Sequence, residues 1–247
     1  WDLFDLKIYD DHRYEGCMHS ASLSVPILAT RGCPYQCTYC SSANMWTLRW
    51  IPRDPIKVVN EIEGYMRKYG AGNFPLQDLT AIIKKDWIVT FCKEILRRQL
   101  KIVWQLPVGT RVESVDGEVA TLLHESGMIN MAYAPESGSE ITRKLIKKKM
   151  RTDSFFDSLR AAVEAKLNVM CYVVLGFPHD TREHIMENMK FVDQMVAEGM
   201  TDVSVGFFMA LPGSEMFYSL YDAGKIRIDR AYFCHMLHSL DRKHTSE

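Results

Sequence analysis

The 247-residue sequence predicts an α/β domain built on parallel strands. Strand and helix patterns alternate about six times, as right-handed strand–helix–strand crossovers require. Several strand runs are apolar nearly throughout, Val169-Met170-Cys171-Tyr172-Val173-Val174-Leu175 being the clearest, which is expected where a sheet is covered on both faces. Punctuation agrees with the alternation: Thr152 and Thr181 are placed to cap helix N-termini, and Gly70, Gly127 and Gly199 stand where helices end in a left-handed residue.

The expected strands are Leu23–Thr30, Asn73–Thr80, Lys101–Gly109, Ile129–Ser137, Val169–Phe177 and Asp202–Leu211. Between them, apolar residues recur at steps of three and four. The first face runs through Ile56, Val59, Ile62, Met66 and Tyr69, and the second through Ile88, Phe91, Cys92, Ile95 and Leu96. Val115, Val119, Leu122 and Leu123 mark a third, and Phe155, Leu159, Ala162 and Val163 a fourth. The longest carries Ile185, Met189, Val192, Met195 and Val196. Periodicity alone does not choose between a doubly wound sheet and a barrel. In both, chemistry gathers at the C-terminal ends of the strands. Residues 1–22 read as a connection from an upstream domain, 23–224 as the domain itself and 225–247 as a tail. The start at Trp1 fits a segment of a longer protein.

A hydrophobic fraction of 47% and a charged fraction of 25% place the chain among globular proteins. The formal net charge of -1 argues against a general electrostatic grip on nucleic acid, leaving only a local basic patch open. No apolar run approaches the roughly 18 residues of a membrane span, and no signal peptide opens the chain, so the expected location is cytoplasmic. The run Lys147-Lys148-Lys149 reads as a solvated helix end, and Met131, Met170 and Met209 as core filling.

Seven cysteines are distributed unevenly. Cys17, Cys92, Cys171 and Cys234 stand alone and read as small buried hydrophobes, whereas Cys33, Cys37 and Cys40 crowd into the loop after the first strand. That loop reads Thr30-Arg31-Gly32-Cys33-Pro34-Tyr35-Gln36-Cys37-Thr38-Tyr39-Cys40, with spacing C-x3-C-x2-C. Three thiolates on one loop can hold one face of an iron–sulfur cluster and leave one iron open. A structural zinc site would want four closed ligands, and His12 or His19 would have to complete it at unusual spacing. A redox pair Cys37–Cys40 would leave Cys33 without a role.

At this motif the chain resembles the radical S-adenosylmethionine (radical SAM) superfamily, and the resemblance covers about residues 23–215. It implies a partial (β/α)6 TIM-like barrel with helices outside, and a 4Fe–4S cluster on Cys33, Cys37 and Cys40 whose open iron binds S-adenosylmethionine. It also implies reductive cleavage of that molecule to a 5′-deoxyadenosyl radical. The partners implied are a one-electron reductant of flavodoxin or ferredoxin type and a small-molecule or peptide substrate.

The resemblance assigns further cofactor contacts. Tyr39 is the aromatic before the last cysteine. Glu136 and Ser137 lie in an E-S-G-S segment associated with the ribose, with a helix-capping serine and a solvated Glu136 as the alternative. Gly176 and Phe177 lie in a G-F-P turn beside the adenine, or in a tight turn with Phe177 in the core. Gln77 or Asp78 would replace the absent Gly-Gly-Glu segment as acceptors for the methionine ammonium. Arg111 would face the carboxylate or join a surface ion pair. Leu211-Pro212-Gly213-Ser214, the wording around Cys33 and Arg53-Asp54-Pro55 before Glu61 resemble the cobalamin-dependent and methylthiotransferase branches. The first implies methyl transfer with cobalamin held by a domain outside this chain; the second implies a tRNA or protein substrate. A non-catalytic scaffold with a structural metal loop is the third reading. Asp10-Asp11-His12-Arg13-Tyr14-Glu15 is close to a cobalamin D-x-H-x-x-G motif, but Glu15 replaces the glycine.

Overall fold

The computed structural model describes residues 1–6, 18 and 22–234. Cys17, His12, His19 and the Asp10–Glu15 segment lie outside the described residues, as does the tail from 235 onward.

The chain builds a parallel sheet from β3 (Asn73–Pro75), β4 (Val103–Thr110), β5 (Met128–Glu136), β6 (Asn168–Leu175) and β7 (Asp202–Phe207), in that spatial order. The expected first strand flanks β3 through parallel bridges, Ser24 to Asn73 and Ile27 to Leu76. Its backbone bonds confirm the pairing: Val25 N donates to Asn73 O at 2.9 Å and Ile27 N to Pro75 O at 2.9 Å. All six expected strands are therefore present, and each lies beside its neighbour in sequence. A doubly wound sheet reverses strand order at a switch point. Here there is no reversal, so each crossover advances the same way round and the product is a partial TIM-like barrel.

The helices follow the same progression: α2 (Pro55–Tyr69), α3 (Lys85–Arg97), α4 (Gly117–Glu125), α6 (Thr152–Glu164) and α7 (Arg182–Ala197), with the short α1 (Ser42–Met45) and α5 (Glu140–Leu145) and the closing α8 (Glu215–Asp222). Consecutive helices α2 and α3, then α3 and α4, then α4 and α6 pack side by side around the sheet. Trp104, Phe91, Tyr133 and Phe155 are fully buried in this layer.

Helix ends conform in part to expectation. Thr181 caps α7, accepting from His184 N, and His184 returns the bond in a capping box. Gly70 (φ 68°), Gly127 (φ 95°) and Gly199 (φ 92°) take the left-handed conformation that ends their helices. Thr152 does not cap α6: the cap position falls on Arg151, which makes no side-chain cap bond. The Thr152 hydroxyl instead accepts from the buried Arg143 guanidinium at 2.6 Å. Satisfying a buried cation outweighs a cap bond that water can replace.

The face of α7 is also rotated from the one its apolar spacing suggests. Met189 and Val196 are exposed, whereas His184, Asn188, Phe191 and Met195 are buried. The cause is Asn188, whose Oδ1 accepts from Gly138 N at 2.6 Å and from Ser137 Oγ at 3.2 Å. A β-carbon on Gly138 would meet Phe191 Cβ at 2.4 Å, so the glycine lets α7 close on the end of β5.

Candidate active site

After Ile27 the first strand leaves the sheet. Thr30–Arg31 (β1) pairs antiparallel with Ile51–Pro52 (β2), so residues 31–51 make an excursion that carries the cysteine loop. Gly32 (φ 72°) begins it: a β-carbon there would lie 2.1 Å from Arg49 O. Backbone bonds clamp the loop from three sides. Cys33 N donates to Thr47 O at 3.2 Å, Thr38 N to Ile146 O at 3.0 Å, and Met216 N, at the start of α8, to Thr38 O at 2.8 Å.

Cys33, Cys37 and Cys40 are free, half-buried thiols that line one cavity of about 230 Å³ at the C-terminal ends of β4 and β5. Thr80 Oγ1 donates to Cys33 Sγ at 3.5 Å, and Ser42 N to Cys40 Sγ at 3.5 Å. Burial pushes the Cys37 thiol above its ordinary range, and the Lys148 ammonium opposes that rise. Among the described residues no three Cys, His, Asp or Glu side chains converge on a point that would hold a single metal ion. Three thiols spaced around one cavity wall suit the broad base of a cluster.

Tyr39, Arg111, Glu136 and Lys148 complete the polar wall. Glu136 ends β5 after a register shift between Tyr133 and Glu136, and adopts φ 65°. A non-glycine residue in that region costs roughly 1–3 kcal/mol, the kind of strain that collects at functional sites. Its Oε1 accepts from Tyr39 Oη at 2.7 Å and from Lys148 Nζ at 3.1 Å. Burial, then the Glu136 charge, raises the Tyr39 phenol well above its ordinary value, so it remains a donor. Arg111 lies 4.2 Å over the Tyr35 ring, is forked by Glu113 at 2.8 and 3.1 Å, and also donates to Lys149 O. It lines the cavity, but held in an ion pair.

Lys148 corrects the reading of the lysine run as a wholly solvated helix end. Lys147 (φ 55°) is the left-handed residue that stops α5: Lys147 N donates to Lys144 O at 3.1 Å and Lys148 N to Arg143 O at 2.8 Å. This is a Schellman stop with lysine where glycine is usual. It turns Lys148 inward, while Lys147 stays outside and pairs with Glu215 at 2.6 Å.

Other expected contacts are not brought to the cavity. Asp78 is buried behind it and accepts from the amides of Ala29, at 3.3 Å, and Thr30. Its oxygens hold the root of the cysteine loop rather than facing a ligand. Gln77 is outside the cavity lining, and its backbone N–H donates to Ile27 O at 2.9 Å. Ser137 is fully buried; its Oγ accepts from Ser139 N at 3.1 Å, and Ser139 caps α5. Only the glutamate of the E-S-G-S segment faces the cavity; the serines build the turn. Phe177 is buried against Tyr39, His179 and Phe208, at centroid distances of 5.7, 5.8 and 5.3 Å. Gly176 has φ 79° with open space around its missing β-carbon, so conformation rather than close approach requires glycine. Asp180 shapes this turn by accepting from Gly176 N at 3.1 Å and Phe177 N at 2.9 Å.

Burial raises Asp78 from 3.8 to about 6, against the lowering effect of its amide donors. The folded state therefore holds its proton more tightly than the unfolded one. The stabilisation is complete below about pH 4 and is lost as pH rises through about 6, amounting to roughly 3 kcal/mol on the linkage scale. Asp78→Asn is expected to flatten the wild-type fall in stability across that window, as read by urea unfolding at pH 4 and pH 7.

Comparison with known proteins supplies the family. Residues 27–192 match the Radical SAM superfamily domain. The chain belongs to the radical SAM superfamily. Among curated relatives, this radical SAM chain is 28% identical over 172 residues to the anaerobic magnesium-protoporphyrin IX monomethyl ester cyclase of Cereibacter sphaeroides, spanning 68% of this chain and 28% of that protein. It is 26% identical over 225 residues to the cytidylyl-2-hydroxyethylphosphonate methyltransferase of Streptomyces wedmorensis, spanning 87% of this chain and 41% of the relative. The chain thus spans less than half the length of these relatives. Among solved structures, the methyltransferase TsrM of Kitasatospora setae, with cobalamin and a [4Fe-4S] cluster bound, superposes with a TM-score of 0.72 at 17% identity, covering 86% of this chain and 40% of TsrM. The cobalamin-dependent enzyme OxsB gives a TM-score of 0.68 at 15% identity, covering 83% of this chain and 35% of OxsB. At such identities the likeness establishes the radical SAM barrel fold. Among the described residues no helix is long and apolar enough to cross a membrane.

Proposed function

We propose that this chain is the cluster-binding barrel of an enzyme that cleaves S-adenosylmethionine reductively and turns the product radical on an organic substrate. The observation that carries the reading is the shared cavity, in which three free thiols face Glu136, Lys148, Tyr39 and Arg111 at the strand ends. A 4Fe–4S cluster bound by Cys33, Cys37 and Cys40 would supply the electron that splits the sulfonium C–S bond to methionine and a 5′-deoxyadenosyl radical.

The chain's own residues bind and orient. Glu136 offers a carboxylate to the vicinal hydroxyls of the nucleoside. Lys148 and Arg111 place cations on the wall, and the Glu113 fork leaves Arg111 fixed rather than free to swing. Tyr39 lines the cavity with Phe177 packed against it, and this aromatic surface keeps water from the reacting centre. Electrons would come from a flavodoxin- or ferredoxin-type carrier.

Within that chemistry, we favour cobalamin-linked methyl transfer to a small molecule. Methyltransferases recur among the relatives, and TsrM and OxsB are cobalamin enzymes of the same fold. The cobalamin would be held outside the described residues. Anaerobically reconstituted protein is expected to be brown and, with dithionite and S-adenosylmethionine, to release 5′-deoxyadenosine. A colourless zinc-loaded protein that leaves S-adenosylmethionine intact would sink the proposal.

A further inference from the structure

The cavity contains a cation that the motif reading did not require. Lys148 is drawn inside by the left-handed stop at Lys147, its side chain is only 13% exposed, and its ammonium pairs with Glu136. Both donors to this carboxylate use the same atom: Tyr39 Oη and Lys148 Nζ each reach Oε1, at 2.7 and 3.1 Å. Among the described residues Oε2 receives no hydrogen bond from the protein, and Glu136 lines the cavity.

We propose that Lys148 is a positioning residue which, with Tyr39, pins Oε1 of Glu136 so that Oε2 is held toward the vicinal hydroxyls of a nucleoside ligand. This rests on the function proposed above and adds to it a residue and an atom-level division of labour. A carboxylate at the end of a strand would ordinarily rotate about its last torsions and share its hydrogen bonds among solvent and ligand. Two donors converging on one oxygen from opposite segments, the cysteine loop and the end of α5, remove that freedom. The left-handed backbone of Glu136 sets the direction of the side chain, and the clamp sets its rotation. Lys148 also balances the carboxylate charge, so that Glu136 faces the cysteine-lined wall as half of an ion pair. Within the run only Lys148 is placed for this role, because Lys147 and Lys149 are exposed.

The test uses the full chain with its cluster reconstituted and measures binding, not turnover. Affinities for S-adenosylhomocysteine and for its 2′,3′-dideoxy counterpart are compared by equilibrium dialysis, with iron content checked for each variant. Lys148→Met is expected to weaken binding of the first ligand by about ten-fold or more, the scale of a lost charged hydrogen bond, and to leave the second within about two-fold. Lys148→Arg should recover most of the loss. Tyr39→Phe should show a smaller loss with the same dependence on the hydroxyls. Combining Lys148→Met with Glu136→Gln should cost no more than Glu136→Gln alone, because the two act through one carboxylate. Equal weakening for both ligands, or no weakening at all, would overturn the role of Lys148. A wild-type protein that holds its cluster yet fails to distinguish the two ligands would instead overturn the placing of Glu136 at the ribose.

Discussion

Replacing Cys33, Cys37 and Cys40 together by alanine is expected to reduce bound iron and 5′-deoxyadenosine release to background while leaving the fold intact. The thiols contribute to a cavity wall, not to the core, and the loop is clamped by main-chain bonds that the substitution does not touch: Cys33 N to Thr47 O, Thr38 N to Ile146 O and Met216 N to Thr38 O. The change in Tm should therefore stay within about 4 °C, equivalent to ~1 kcal/mol for a domain of this size. A structural metal site behaves in the opposite way, because there the binding energy is folding energy and the metal-free protein unfolds. Circular dichroism melting of the triple variant separates these cases. Loss of the cooperative transition would assign the loop a structural role, and retained cleavage would remove it from the chemistry.

Trp104→Ala is expected to be the most destabilising single substitution, by roughly 3–5 kcal/mol. Trp104 is fully buried in β4 and meets Phe91 edge to face at 5.2 Å, while Phe91 stacks on Trp87 at 5.6 Å. Its indole also donates to Ser126 O at 3.1 Å and Oγ at 3.2 Å, so truncation both opens a cavity and strips a donor from the end of α4. Against a total stability of about 5–15 kcal/mol, this is a large fraction. Thermal unfolding should shift down by on the order of 10 °C. A shift of only about a degree would mean that the helix layer does not rest on this residue.

Much of the architecture was legible because periodicity reports burial. The strand segments were located to within a few residues, apart from the early departure of the first strand and the shortening of the second and the last. The periodicity did not show which face of α7 turns inward. Its apolar residues pointed to Met189 and Val196, but two hydrogen bonds from the end of β5 to Asn188 rotated the helix. Helix stops were visible where glycine supplied them and invisible at Gln99, Lys147 and Lys166, which take φ values of 54°, 55° and 64° without any sequence signal.

The site divides along the same line. The amino-acid order alone determined that three thiols share one short loop behind a strand, because ligand spacing within a loop is a local property. It also determined that strands and helices alternate in parallel fashion. Only the tertiary structure decided which polar groups surround those thiols. Lys148 entered because a lysine adopted a left-handed stop; Asp78 and Ser137 were withdrawn because backbone amides at the loop root and the α5 cap claimed their oxygens. Such outcomes depend on competition between donors far apart in the chain, and no window of sequence contains both competitors.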